Sequence, residues 1–287
     1  MASADSSQDS LSPKTTQLPK SEFVSLAYHD IFSYPMTKGE LTKWKFGKEI
    51  KNQNARIARK IGRYYFLKNG KTNIFKREGR SKASLKKIKI AKNAAQTLAA
   101  LPTVKMVGIT GALAMMNAEP ESDIDFIVVC KANTLWTTRF LVYLTLDLLG
   151  IPRRKYGLRK EKNRLCLNIW LDETALVWDK DDRNLYSAHE IAQIIPLLNK
   201  DKTYERFINK NSWIGSYWPN AVRIPGSIPK SKDAASPISV FEPFARTLQL
   251  WYMRKKITRE IVSPTKAIFH PKDWGKIVAK ALLRRLS

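Results

Sequence analysis

Acidic residues are scarce in this chain. There are 25 Asp+Glu against 51 Lys+Arg in 287 residues, a net charge of +26. Such a surplus leaves the fold open but favours a polyanionic partner, either nucleic acid or an anionic membrane surface. Cysteine is scarcer still. Cys130 and Cys166 are too few to staple a chain of this size, and both sit in apolar, strand-like runs, as expected of buried thiols in a reducing cytoplasm. The three histidines, His29, His189 and His270, are far apart in sequence and lack zinc-ligand spacing. No serine or cysteine has a recognisable partner set for covalent catalysis. Long apolar runs are missing too: the most apolar stretch, Phe140 to Ile151, carries Asp147 and is about half the length needed to span a bilayer. Residues 1–20 are polar, without the apolar centre of a signal peptide, and are expected to form a disordered tail. A soluble, cytoplasmic protein with no membrane partner is the expectation.

What is present is globular in character, with 44% hydrophobic and 26% charged residues, enough for two modest domains. Residues 21–80 read as the first. Phe23, Leu26, Ala27, Ile31 and Phe32 suit a short helix. Thr37 caps a second, with Glu40 three residues on completing a capping box. A third is expected over Lys48 to Ile61, with Ile50, Ile57 and Ile61 on one stripe and Asn, Gln, Lys and Arg on its other faces. Tyr64 to Leu67 and Thr72 to Phe75 flank Asn69-Gly70, a strong hairpin signal. Three helices and a hairpin are the order of a winged helix, in which the third helix commonly enters the major groove. Between Lys38 and Lys105 there are 20 Lys+Arg and three acids, which favours nucleic-acid contact over a protein-only role.

A helix from Ser81 to Leu101, lysine-rich on its outer face, links to an α/β region over residues 81–218. Strands are expected at Val104 to Ile109, Asp123 to Cys130 and Leu165 to Leu171. Helices are expected from Gly111, over Asn133 to Leu149, near Asn184 to Leu198 and over Lys202 to Trp213. The helix bearing Tyr186, His189 and Glu190 suggests a buried or surface histidine. Residues 219–240, with four prolines, read as an irregular linker, and 241–287 as a basic helical region. In that last region Trp274, Ile277, Val278, Ala281 and Leu282 form an apolar stripe. It is expected to pack on the helix bearing Leu248, Trp251 and Met253, with membrane-surface binding as the alternative.

The stretch from Val107 to Val129 carries the chemistry. Asp123 and Asp125 are two apart at the start of an apolar strand, so both carboxylates leave one face of the sheet. Two such groups repel, and a divalent cation resolves the repulsion. Oxygen ligands suit Mg²⁺ (or Mn²⁺), which leaves room for substrate phosphates. Gly111 at a strand-to-helix turn lets backbone amides approach a phosphate. This arrangement suits phosphoryl or nucleotidyl transfer.

The pattern Gly111-Ala112, ten residues, then Asp123-Ile124-Asp125 opening a strand resembles the signature of the DNA polymerase β-like nucleotidyltransferase superfamily. The resemblance covers roughly Val104 to Leu171. More loosely, the layout resembles bacterial proteins with a winged helix ahead of such a domain. It implies a nucleotidyltransferase-fold mixed sheet, an NTP as substrate, catalytic metal on Asp123 and Asp125, and Gly111 with Ala112 facing the nucleotide phosphates. The chain departs from the signature twice. Ala112 stands where a serine is usual. Where active members add a third carboxylate on the next strand, Asn168 stands, able to coordinate metal through its amide oxygen but not to act as a base. Asp172 and Glu173 follow that strand and are alternatives for the third acid. The basic loop from Pro152 to Lys160 suits a contact to triphosphate or to a polynucleotide backbone, with a solvated charged loop as the alternative.

The expected reaction is transfer of a nucleoside monophosphate from an NTP to an acceptor, with DNA or RNA as partner. Two rivals remain: a catalytically silent nucleic-acid-binding or regulatory module, and an antitoxin-like partner protein.

Overall fold

A computed structural model describes residues 12–48, 55–155, 157, 161–226, 228, 236–254, 261–269 and 273–287. It is a mixed α/β protein with one four-stranded antiparallel sheet and one six-stranded mixed sheet. No helix among the described residues is long and apolar enough to cross a membrane.

The first sheet is built from β1 (Lys14–Leu18), β2 (Met36–Thr37), β3 (Arg56–Ile61) and β4 (Tyr64–Phe66) in the order β1-β3-β4-β2. It packs with α1 (Lys20–Asp30) and α2 (Lys38–Lys43). The expected cap of α2 is in place: the Thr37 hydroxyl accepts from the Glu40 amide, and the Glu40 carboxylate accepts from the Thr37 amide at 2.8 Å.

Three expectations for this region are overturned. Residues 14–18 are not a disordered tail but a strand paired with β3, register Lys14↔Lys60 to Leu18↔Arg56; residues 1–11 lie outside the described residues. The third helix does not cover Arg56–Ile61, which is β3, and its residues 49–54 lie outside the described residues. Its stripe was misleading: Ile57 is 66% exposed, whereas Ala58 and Ile61 are buried. The hairpin turns at Gly62-Arg63, not at Asn69-Gly70. Asn69 instead takes a left-handed conformation (φ 53°) and caps α3 (Gly70–Ala99), which absorbs Thr72 to Phe75. A Cβ on Gly70 would collide with the Phe66 ring, so this glycine serves a close helix–strand approach.

The second sheet contains β5 (Val104–Ile109), β6 (Ile124–Cys130), β7 (Leu165–Asp172), β8 (Ile195–Asn199), β9 (Ile261–Val262) and β10 (Lys266–Ile268), in the order β8-β5-β6-β7-β10-β9. The pair β6–β7 is parallel; the other pairs are antiparallel. Both faces of the sheet are buried, and the two-residue period of β6 divides its side chains between them. Ile124, Phe126 and Val128 enter a core with Leu98 of α3 and Val142 of α5 (Leu135–Leu148). Ile127 and Val129 enter the core that holds Leu26 and Tyr28 of α1 and Ile191 of α6 (Leu185–Ala192). The remaining helices are α4 (Gly111–Ala114), α7 (Thr203–Lys210), α8 (Glu242–Met253) and α9 (Trp274–Leu286).

Further corrections follow from long-range pairing. The helix expected through Leu198 ends at Ala192, and Ile195–Asn199 is β8, an edge strand on β5. The region after residue 240 is not wholly helical: β10 adds to β7 and β9 to β10. The stripe of α9 packs on α1 and α6 rather than on α8, whose Trp251 and Leu248 are exposed. Lys87, expected on an outer face, is 1% exposed, and its ammonium donates to the Ser122 carbonyl at 2.6 Å and to Asn163 Oδ1 at 2.9 Å. That lysine ties the chain entering β6 to the loop entering β7.

Candidate functional site

By the alternation of β6, Asp125 lies on the same face as Ile127 and Val129, toward α1 and α6. Asp123 precedes the strand by one residue and has the same parity. Across the parallel pair Asp125 stands beside Cys166, and the register then slips: Phe126 pairs with Leu167 but Ile127 with Ile169, leaving Asn168 as an extra residue. A bulge of this kind re-aims a side chain. Here it directs Asn168 at the acids, and its Nδ2 donates to Asp125 Oδ1 at 2.8 Å.

The structure therefore brings together the sequence-predicted Asp123, Asp125 and Asn168, and adds Cys166, which sequence reasoning treated only as a buried thiol. One ligand atom from each of Asp123, Asp125 and Cys166 lies within 4.8 Å of the others. The signal for Cys166 was its place two residues before Asn168 on the same strand, with the same parity. Burial, reinforced by the Asp123 charge, pushes the Asp125 carboxyl up to about 7, against hydrogen bonds from Cys166 and Asn168 and the charge of Arg154. Burial and the two aspartates push the Cys166 thiol far above its ordinary value.

Arg154, from the basic loop, brings a cation to the group. Its guanidinium donates to Asp123 Oδ2 at 2.9 Å and also pairs with Glu161 at 2.6 Å. Tyr156 and residues 158–160 of that loop lie outside the described residues. Asp172 and Glu173 do not join the site. Asp172 accepts from the Asn133 amide and from Thr174, at the far end of β7, and Glu173 pairs with Arg206.

Gly111 takes φ +62°, and a Cβ there would sit 2.9 Å from Asp125 Oδ2. Glycine is required twice over, for the left-handed backbone and for the approach of the carboxylate. Its amide is engaged by Glu190, a residue of α6 that sequence reasoning left without a role. Burial and the charge of Asp125 push Glu190 up to about 8, while Gln193 and the Gly111 N–H act against the rise. Gln193 Nε2 donates to Glu190 Oε1 at 2.7 Å. Ala112 and Gly111 line a cavity together with residues of α1 and α6.

Of the two alternatives for His189, buried or surface, the structure takes the buried one, and His29 is buried with it. His29 and His189 are 160 residues apart in sequence, yet their Nε2 atoms are 3.2 Å apart in the core. His29 Nδ1 donates to the Ser25 carbonyl at 2.8 Å, so in the neutral ring its Nε2 is the acceptor and His189 the donor. Trp44 stacks on His189 with centroids 4.0 Å apart. His270 lies outside the described residues.

No family model, curated protein or solved structure matches the chain. The functional reading therefore stands on this geometry and on the motif.

Proposed function

We propose that this chain is a nucleotidyltransferase-like protein. In this reading it binds an NTP with a divalent cation beside Asp123 and Asp125 and transfers the nucleoside monophosphate to an acceptor. The observation that carries the reading is the convergence of Asp123, Asp125 and Cys166 next to the Gly111 bend, where the packing of the sheet has no need of an acid.

The donor set fits a metal. Two carboxylates supply oxygen ligands and Cys166 a sulfur, and Asn168 Oδ1 is buried with no hydrogen-bond partner among the described residues, an oxygen left for a cation to claim. Asp123, Asp125 and the Asn168 amide oxygen would hold Mg²⁺ or Mn²⁺, and the Cys166 sulfur would add softer character. Such an ion supplies charge neutralisation for the triphosphate and for the oxygens that separate in transfer. The chain's own residues do the positioning. Lys87 pins the Ser122 carbonyl and so sets the entry of Asp123. The Asn168 amide orients Asp125. Arg154, 45% exposed, is placed to exchange Asp123 for a phosphate oxygen.

Nucleic acid is the proposed partner. The small sheet departs from the winged-helix order, having two short helices before its hairpin, but that β3–β4 hairpin exposes Arg56, Arg59 and Arg63. With the net charge of +26, these arginines support contact to a phosphate backbone.

A second reading has its own observation. Asn168 replaces a third acid and Arg154 already neutralises Asp123, so the same site would bind nucleotide without turnover. Incubation with α-labelled NTPs, Mg²⁺ or Mn²⁺, and RNA, DNA or protein acceptors separates the two. Incorporation abolished in a folded Asp123→Ala, Asp125→Ala double variant supports transfer. Metal-dependent NTP binding without incorporation selects the second reading. Incorporation unchanged in the double variant overturns the metal assignment.

A further inference from the structure

A cavity beside α1 adjoins the carboxylate site at Gly111 and Ala112, and the Asp125 charge reaches its Glu190. It has a volume of about 240 Å³, at the small end for ligand pockets. Four separate parts of the chain build it: α1 with the residues just after it, α4 with the residues just after it, α6, and the first residue of α9. Five aromatic side chains line it, Tyr28, Phe32, Tyr34, Tyr186 and Trp274, and Glu190 is the one acidic residue among them.

The charge balance at this point is unusual. In a chain of net charge +26, no lysine or arginine lines the cavity among the described residues, and its two histidines are held neutral by burial. Glu190 makes its hydrogen bonds to neutral groups, the Gln193 amide and the Gly111 N–H. Tyr28 is fully buried against the cavity, and its hydroxyl has no hydrogen-bond partner among the described residues. A polar atom left unpaired in such a place is costly, and without a counter-cation the buried Glu190 carboxyl, pushed up to about 8, keeps its proton at neutral pH.

Both deficits are met by one chemistry. An ammonium brings a positive charge to Glu190 and further N–H donors, one of which the Tyr28 hydroxyl can accept. Its hydrocarbon body gains from aromatic walls, whose faces attract cations. The wall already does this once: the Arg77 guanidinium lies 4.1 Å from the Tyr34 ring centroid, with its own charge answered by Glu40. We propose that the cavity binds a compact organic amine, with its ammonium at Glu190 and Tyr28 and its apolar body against Phe32, Tyr186 and Trp274. The proposal does not rest on nucleotidyl transfer at the neighbouring carboxylates.

The test uses the full chain without nucleotide or metal, so its outcome does not depend on the reading of the carboxylate site. Titration with benzylamine and with its neutral isostere benzyl alcohol is followed by NMR. Saturable benzylamine binding, at least tenfold tighter than that of the alcohol, with intermolecular Overhauser contacts to the rings of Tyr28 and Tyr186, is expected. In Glu190→Gln the preference for the amine disappears, and in Tyr28→Phe benzylamine weakens severalfold. The Overhauser contacts need no variant, so a misfolded Glu190→Gln protein leaves the proposal testable. Equal affinity for amine and alcohol, absence of the ring contacts, or amine preference surviving in Glu190→Gln overturns it. So does tighter binding at these rings by guanosine, a neutral donor-edged nucleoside.

Discussion

Asn168 donates its side-chain amide to Asp125 at 2.8 Å, and the same residue's Oδ1 is buried with no partner among the described residues. One half of the amide is spent orienting a carboxylate; the other half is left with nothing to bind. The bulge that leaves Asn168 unpaired in the ladder makes both relationships possible.

Replacing that amide by a carboxylate should therefore act in opposite directions with and without metal. Asn168→Asp places a third acid against Asp125, removes its donor and destabilises the metal-free protein by about 1–3 kcal/mol. Added Mn²⁺ should raise the melting temperature of the variant more than that of the parent. Thermal melting with and without Mn²⁺ reads both effects, and a variant no more responsive than the parent counts against a cation at this site.

Gly111→Ala should be costly for a conformational reason alone. The left-handed φ of +62° costs a non-glycine residue about 1–2 kcal/mol, and the Cβ would press on Asp125 Oδ2. Gly79→Ala is the matched control. That glycine is exposed inside α3 with open space around it, so alanine should stabilise by about 0.5–1 kcal/mol. Urea unfolding of the two variants should shift the midpoint in opposite directions.

Arg154→Ala separates two roles of one guanidinium. The pair with Asp123 is 45% exposed on the arginine side, so global stability should change by about 0–1 kcal/mol. Removal of the positive charge should strengthen Mn²⁺ binding severalfold. NTP affinity should fall if the arginine turns to phosphate. Calorimetry with the metal alone and with metal plus NTP measures both, and a parallel change in the two affinities would refute the exchange.

Stability should also fall on mild acidification, through the buried histidine pair. Burial lowers His29 from 6.5 to about 4; hydrogen bonding to Ser25 and the Glu40 charge oppose this, and the Arg77 charge adds to it. Between these values the unfolded chain binds a proton that the folded chain refuses. The stability contribution is complete above about 6.5 and is lost as the pH falls toward 4, on the order of 3 kcal/mol for His29. Burial lowers His189 as well, with the His29 and Lys43 charges acting in the same direction and a Gln193 hydrogen bond against it. A His29→Gln variant should show a shallower loss of denaturation midpoint between pH 6.5 and 4; an unchanged slope would place the acid sensitivity elsewhere.

For the proposed nucleic-acid interface, removing Arg56, Arg59 and Arg63 together should weaken duplex binding and flatten its dependence on salt. Every phosphate that an arginine no longer neutralises lowers the slope of log K against log salt by about 0.9. An unchanged slope in a fluorescence-anisotropy titration moves the interface away from the β3–β4 hairpin.

How far the sequence reaches is seen strand by strand. The limits of β5, β6 and β7 follow from apolar runs between turn residues, and the α2 cap from Thr37 and Glu40 three apart, because both patterns are written within a few residues. The pairing of Asp123 with Asp125 on one face follows from the two-residue period alone. Local pattern misleads where a long-range partner overrides it. Arg56–Ile61 carries a helical spacing of isoleucines but is held extended between β1 and β4. Ile195–Asn199 and Lys266–Ile268 become strands because open edges of β5 and β7 offer hydrogen bonds that the segments alone lack. The fourth member of the carboxylate group, Cys166, the unpaired oxygen of Asn168, the meeting of His29 with His189, and the aromatic cavity around Glu190 all join residues distant in the chain. Composition and spacing assign each of these side chains a chemistry; only packing decides which of them meet, since burial and partnership are set by neighbours that no local stretch of sequence encodes.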